Sequence, residues 1–222
     1  MAYTIKDNLT TTNYTPRGTA PTWIVIHNTA NGTSAAGTAY NNTRYFKSAY
    51  RGASAHFFVD DGDTVWRCVR PTDTAWHVGD APSRNGASNG NAIGIEVCER
   101  ADGTFSEHEV SVLQWLVPQL MQQYGIDAAH ICRHHDVTGK ACPWGYLDDG
   151  TWRKLKARIL DGDDIDMAIG EKIWNYLTEK TDASGRGKVA NIRDRLAWMA
   201  QKQEAMQADI TEIKKMLEKM GK

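Results

Sequence analysis

The 222-residue chain has no run of about 18 consecutive apolar residues, which excludes a membrane-spanning helix of ordinary length. It also has no excess of either charge. Its 26 Lys and Arg against 27 Asp and Glu leave a formal net charge of -1, so no basic field exists to hold a phosphate backbone, and nucleic acid is not an expected partner. The opening residues show no basic segment followed by an apolar stretch and a small-residue cleavage site. No secretory leader is therefore expected, and the chain reads as one made and folded in a cytoplasm. Cysteine is scarce: Cys68, Cys98, Cys132 and Cys142 are too few and too scattered for a disulfide framework. The first three lie in strand-like runs and read as packing residues. What is there, 41% hydrophobic and 24% charged residues, suits a globular protein with one sizeable core and room for an appendage.

The chain changes character near residue 160. All seven histidines, four cysteines and six prolines precede that point, whereas residues 161–222 carry twelve acidic and eleven basic residues and no proline. The acidic run Asp161-Gly-Asp-Asp164 reads as a junction. This gives a chemical domain over residues 1–160, a linker with a short helix over 161–187, and a helix over 188–222. In that last segment Val189, Ile192, Leu196, Met199, Gln203, Met206, Ile210, Ile213, Leu217 and Met220 follow alternating steps of three and four. That reads as a coiled-coil seam with Gln203 as its polar register residue, and it predicts a homo-oligomer, with wall targeting and a helix folded back on the chemical domain as the alternatives.

Within residues 1–160, β-branched runs predict buried strands over 22–27, 91–98 and 129–133. Two strands around Asp61-Gly-Asp63 predict a hairpin over 54–69. A glycine- and alanine-rich helix is expected over about 34–50, and a second over 106–124, opened by the capping box Ser106 and Glu109. Strands and helices interleave, but the hairpin excludes an all-parallel sheet. The fold class is therefore α/β, a mixed central β-sheet flanked by helices, with the C-terminal coiled coil appended.

Chemistry-bearing residues gather on three segments: His27 at a strand end, Glu96 within a strand, and His134 to Pro143. Two imidazoles and a thiolate, with a fourth position left for water, suit a catalytic zinc, and His27, His134 and Cys142 form that set. Gly139 and Pro143 let the intervening loop turn both donors inward. Taken alone, a histidine and a cysteine at this spacing read first as a hydrogen-bonded ring and a buried thiol. On its strand, Glu96 shares a face with Gly94, opposite Ile93 and Ile95, and an inward carboxylate is costly unless it has a partner or a task.

Five segments in order, Trp23-Ile-Val-Ile-His-Asn-Thr29, Ser54-Ala-His-Phe-Phe-Val-Asp60, Ala75-Trp-His-Val-Gly79, Asn91-Ala-Ile-Gly-Ile-Glu96 and His134-His-Asp-Val-Thr-Gly-Lys-Ala-Cys-Pro143, resemble the zinc-dependent N-acetylmuramoyl-L-alanine amidases. These are relatives of the peptidoglycan-recognition proteins, common as bacteriophage endolysins. The resemblance covers about residues 20–160. It implies a mixed sheet flanked by helices and a Zn2+ ion in a groove that takes glycan and stem peptide. The reaction it implies is hydrolysis of the amide joining N-acetylmuramic acid to L-alanine. The family pattern His-Arg-Asp-Val-x-Gly-Lys aligns His134 with the ligand and His135 with the arginine, and the spacing to Cys142 also selects His134. His56 matches a position that supports the site instead of ligating.

The resemblance further assigns Glu96 as general base and proton shuttle and Lys140 as the cation facing the developing oxyanion. Trp76 and His77 match groove-lining positions, Asn91 and Thr138 stand where hydrogen bonds to substrate are expected, and Asp136 is expected to brace the metal loop. The glycine- and asparagine-rich residues 79–90 read as a rim to the groove. The implied partner is bacterial peptidoglycan, reached from the host cytoplasm after release through a separate pore. Two other readings stand beside it: a peptidoglycan-binding module without catalysis, and a cysteine-nucleophile amidase or peptidase built on Cys142.

Overall fold

The computed structural model describes residues 3–161. The acidic junction beyond Asp161, the short helix expected before 187 and the heptad seam over 188–222 lie outside the described residues.

Among the described residues, eight strands and four α-helices follow in the order β1 (Thr4–Asp7), β2 (Tyr14–Pro16), β3 (Trp23–Asn28), α1 (Thr38–Ser48), β4 (Phe57–Val59), β5 (Thr64–Arg67), β6 (Asp73–Ala75), β7 (Ala92–Val97), α2 (Glu107–Tyr124), β8 (Ile131–Arg133), α3 (His134–Thr138) and α4 (Asp149–Asp161). Six strands form one sheet in the order β1-β5-β4-β7-β3-β8, and β2 pairs with β6 in a separate two-stranded ribbon. Only the β4–β5 hairpin is antiparallel in the large sheet; β1–β5, β4–β7, β7–β3 and β3–β8 are parallel. The mixed sheet expected from the interleaved pattern is therefore present.

Side-chain alternation divides the sheet into two faces. Ile24 and Ile26 of β3, Phe57 and Val59 of β4, Ile93, Ile95 and Val97 of β7 and Ile131 of β8 pack with α2 and α4 in the main core. The opposite face carries Val25, Ala92 and Cys132, with Val78 and Ala87 from the loops above and Val137 from α3. Phe58 joins Ala39 of α1, Cys68 and Cys98 in a third cluster. Burying each of these large side chains contributes roughly 1.5–3 kcal/mol, so a period-two pattern is strongly pinned in register.

Helix α2 begins as the sequence predicts: Ser106 Oγ accepts from Glu109 N–H and the Glu109 carboxylate accepts from Ser106 N–H. Helix α1 is shorter than the expected 34–50. Gly37 is left-handed at φ 95°, and the preceding residues are drawn to the β4 end, where Asp60 accepts from Gly37 N–H and Ala39 N–H, each at 2.8 Å. A carboxylate at a helix N-terminus satisfies free donors and favours the helix dipole. The segment after β8 is a short helix where a loop was expected, ended by Gly139 at φ 82°. Helix α4 lacks an expected counterpart, although Trp152, Leu155 and Ile159 follow helical spacing and close the core against α2. Among the described residues no helix is long and apolar enough to cross a membrane.

Candidate metal centre

Parallel pairing creates the site. In the β3–β7 register His27 lies directly beside Glu96, and in the β3–β8 register Ile26 lies beside Arg133, so the chain leaving β8 places His134 next to His27. Both imidazoles thus stand at the C-terminal ends of adjacent parallel strands, where open α/β sheets gather functional groups. Cys142 returns after α3, its N–H bonded to the Lys140 carbonyl and its carbonyl accepting from His135 N–H at 2.8 Å.

His27 Nδ1 lies 3.1 Å from His134 Nδ1 and 3.7 Å from Cys142 Sγ, and the three donor atoms lie within 4.8 Å of one another. Tetrahedral zinc with Zn–N near 2.0–2.1 Å and Zn–S near 2.3 Å requires donor separations of about 3.3 and 3.6 Å. The two separations at His27 fit that ion, and the third pair lies within 4.8 Å. The residues also fit it chemically. Burial holds His27 well below the ordinary imidazole range and His134 down to about 4, so both rings are neutral, as ligation needs. Burial, reinforced by the Glu96 charge, pushes the Cys142 thiol up to about 12. A thiol in that state is a poor free nucleophile and becomes a thiolate only beside a cation.

Glu96 is the carboxylate at this centre: Oε1 lies 3.9 Å from His27 Nδ1, and Oε2 is buried without a hydrogen-bond partner. Burial drives its pKa up to about 8 against the downward pull of Lys140. Lys140 is exposed, and its charge also lowers His27 and His134.

The remaining predicted residues are placed as follows. His77 is buried, and its Nδ1 lies 3.0 Å from His27 Nε2, so its ring stands behind the candidate donor His27. That position exists because Gly94 has no side chain; a Cβ there would lie 2.6 Å from His77 Cγ. Trp76 is half-buried, with its ring edge-on to the exposed Tyr50 at 6.0 Å and its indole N–H directed to Thr15. Asn91 binds the rim loop, accepting from Ser88 N–H at 2.7 Å and donating to the Gly86 carbonyl at 3.0 Å. Thr138 ends α3, its hydroxyl accepting from Lys140 N–H at 3.4 Å. His56 does not join the donors. Its Nδ1 accepts from Gly94 N–H at 3.0 Å, and its Nε2 lies 3.1 Å from the Asp73 carbonyl and from Arg17.

Several residues were not legible as site residues. Arg133, immediately before His134, is buried and directs its guanidinium to Asp136, Asp149 and the carbonyls of Tyr146 and Leu147. Asp136 also accepts from Arg133 N–H at 2.8 Å, which fixes the first turn of α3. Glu99 accepts from Thr29 Oγ1, Ala30 N–H and Gly32 N–H and so holds the loop that follows β3, where Ala30 is left-handed at φ 59°. Nothing in a lone Glu after a strand signals this, although its complete burial does once the fold is known.

Residues 17–145 match the family model described as N-acetylmuramoyl-L-alanine amidase. The chain belongs to this family. It is similar to the N-acetylmuramoyl-L-alanine amidase XlyA of Bacillus subtilis (strain 168), 39% identical over 142 residues covering 64% of this chain and 45% of XlyA. It is also similar to CwlH of the same organism, 38% identical over 129 residues covering 58% and 50% of the two chains. This chain therefore matches about half the length of these curated relatives. Among solved structures, the catalytic domain of XlyA superposes with a TM-score of 0.59 at 35% identity, covering 70% of this chain and 98% of that one. PlyL superposes at 0.60 with 26% identity, covering 72% and 98%.

Proposed function

We propose that this chain is a zinc-dependent N-acetylmuramoyl-L-alanine amidase of the endolysin kind, cleaving the amide between the lactyl group of N-acetylmuramic acid and L-alanine in bacterial peptidoglycan. The observation that carries the reading is the convergence of His27 Nδ1, His134 Nδ1 and Cys142 Sγ with the Glu96 carboxylate 3.9 Å from the same nitrogen. Family membership supports the bond to be cleaved.

A zinc ion held by His27, His134 and Cys142 would supply a water activated at neutral pH and polarisation of the scissile carbonyl. The chain's own residues do the rest. Glu96 takes a proton from the attacking water and returns it to the nitrogen of the leaving L-alanine; a carboxyl raised by burial is suited to both halves of that transfer. Lys140 faces the oxygen on which negative charge develops. Glycan and stem peptide lie along the groove bordered by Trp76, Asn91, Thr138 and the 79–90 rim. Residues 188–222 gather several such heads through their heptad seam, which multiplies weak wall contacts, and the enzyme waits in the host cytoplasm until release.

The test is metal content and clearing of purified peptidoglycan, with and without a chelator, in the wild-type chain and Glu96→Ala. One zinc per chain, chelator-sensitive appearance of L-alanine amino termini without new reducing sugar ends, and loss of turnover in the variant are expected. Cleavage that persists in metal-free protein would overturn the zinc reading in favour of Cys142 as nucleophile. Wall binding without cleavage would leave a recognition module.

A further inference from the structure

Zinc-ligating histidines are normally oriented by a hydrogen bond on the nitrogen that does not face the metal. Here both such bonds come from one dipeptide. His77 Nδ1 lies 3.0 Å from His27 Nε2, and the next residue, Val78, offers its backbone carbonyl to the His134 ring. With its Nδ1 turned to the donor cluster as an unprotonated ligand, His27 carries the proton on Nε2 and donates to the ring of His77, while the His134 ring stands against the backbone of Val78.

The dipeptide itself is gripped by a single side chain. Asn89 Oδ1 accepts from His77 N–H at 2.8 Å and from Val78 N–H at 2.9 Å, while its Nδ2 donates to the Gly79 carbonyl at 3.2 Å. An open cleft of about 280 Å³, lined by Val78, Val137 and Asn89 among others, lies beside this stretch, so packing covers one side of it and not the other. Directional hydrogen bonds are the device that holds backbone in place next to a void.

We propose that Asn89 is a positioning residue of the metal centre, acting on both imidazole ligands at once through the backbone of His77 and Val78. This rests on the zinc reading above. It assigns to the rim loop a task beyond bordering the groove: a residue that touches neither metal nor substrate sets how tightly the metal is held. Asn89 sits in a run of Gly, Ser and Asn, where it is indistinguishable by sequence from an ordinary turn former.

The test uses the full chain and three variants. Asn89→Ala removes the acceptor, Asn89→Asp keeps an oxygen in its place, and Gly18→Ala, with nothing within 4 Å of the added methyl, is the control. Zinc affinity is read by competition with a chromophoric chelator. In metal-free protein, amide exchange of His77 and Val78 and the ring-nitrogen NMR signals of His27 and His134 are read as well. Asn89→Ala is expected to weaken zinc roughly 10- to 100-fold, expose both amides to exchange and mix the imidazole tautomers, with Asn89→Asp restoring most of the affinity. If Asn89→Ala does not fold, His77→Leu against His77→Asn asks the same question of the next link, since Asn keeps an acceptor where Nδ1 stands and Leu does not. Wild-type zinc affinity in Asn89→Ala, or an Asn89→Asp as weak as Asn89→Ala, overturns the inference and leaves the metal centre standing. A wild-type chain that takes up no zinc overturns both.

Discussion

Gly94→Ala asks the most of the site's geometry. A methyl at residue 94 would lie 2.6 Å from Cγ, 2.7 Å from Nδ1 and 2.9 Å from Cδ2 of His77. Carbon atoms in contact sit at roughly 3.5–4.0 Å, so the ring must retreat by about 1 Å or the strand must move. The strand is poorly placed to yield, since β7 is held by β3 on one side and β4 on the other. The ring therefore moves, and a 3.0 Å bond to His27 stretched by about 1 Å is no longer a hydrogen bond. Loss of such a partner typically lowers metal affinity 10- to 100-fold, about 1.4–2.7 kcal/mol at about 1.36 kcal/mol per decade. Overpacking adds a stability cost of about 1–3 kcal/mol that persists without metal. Chelator competition measures the first effect, and urea unfolding of metal-free protein the second. A Gly94→Ala chain that binds zinc as tightly as wild type would show that His77 does not orient His27, and the reasoning would fall with it.

Glu96→Gln keeps the volume and removes the proposed proton carrier; turnover on peptidoglycan should fall by about 10²-fold or more while zinc content by atomic absorption is retained. Glu109 is fully buried at the start of α2, and burial, with Asp61 and Asp60 nearby, pushes its carboxyl up to about 8 from an ordinary 4.5. The folded state therefore binds the proton more tightly than the unfolded chain. Its stabilising effect is complete below about pH 4.5, is lost progressively as pH rises, and is gone above about 8. Glu109→Gln, which can still accept from Ser106 N–H, should become more stable than wild type across that window by up to a few kcal/mol in urea titrations at pH 5 and 8; a difference that does not grow with pH refutes this. Arg133→Lys replaces five donors with three in a buried position, and should cost about 2–4 kcal/mol and weaken zinc through misplacement of His134, both read in the same chelator and urea titrations.

Much of the fold was legible because burial on two faces leaves a strong period-two signal. The runs holding Ile24 and Ile26, and Ile93 and Ile95, announced β3 and β7, and the same alternation put Glu96 on the face opposite those isoleucines. The capping box at Ser106 fixed the start of α2 locally. The strands missed are those without such a signal: β1 is exposed along its whole length, and β2 and β6 are three residues each. The three proposed metal donors lie within 4.8 Å of one another; one histidine and one cysteine at their spacing carried little by themselves, and the ordered family motifs are what singled them out. What holds them was not legible. Asn89, Val78 and Arg133 act through backbone groups or through partners distant in the chain, and a hydrogen bond to a main-chain amide leaves no mark on the sequence of the residue that makes it.

The identity of those supporting groups bears on the chemistry. Carboxylates behind metal-bound imidazoles raise ligand basicity and bring negative charge to the centre. Here the two rings are backed by a neutral histidine and a peptide carbonyl, and burial pushes His77 down to about 3, so it stays neutral at any physiological pH. The negative charges that a divalent ion would meet at close range are then the Cys142 thiolate and Glu96. Because Glu96 is not spent on orienting a ligand, its Oε2 stays free of hydrogen bonds while Oε1 lies 3.9 Å from His27 Nδ1, and the proposed proton carrier needs that freedom. In the proposed mechanism, orientation by neutral groups and proton transfer by a lone carboxylate are thus two sides of one arrangement: a carboxylate moved to the position of His77 would stiffen a metal site there while competing with Glu96 for the same field.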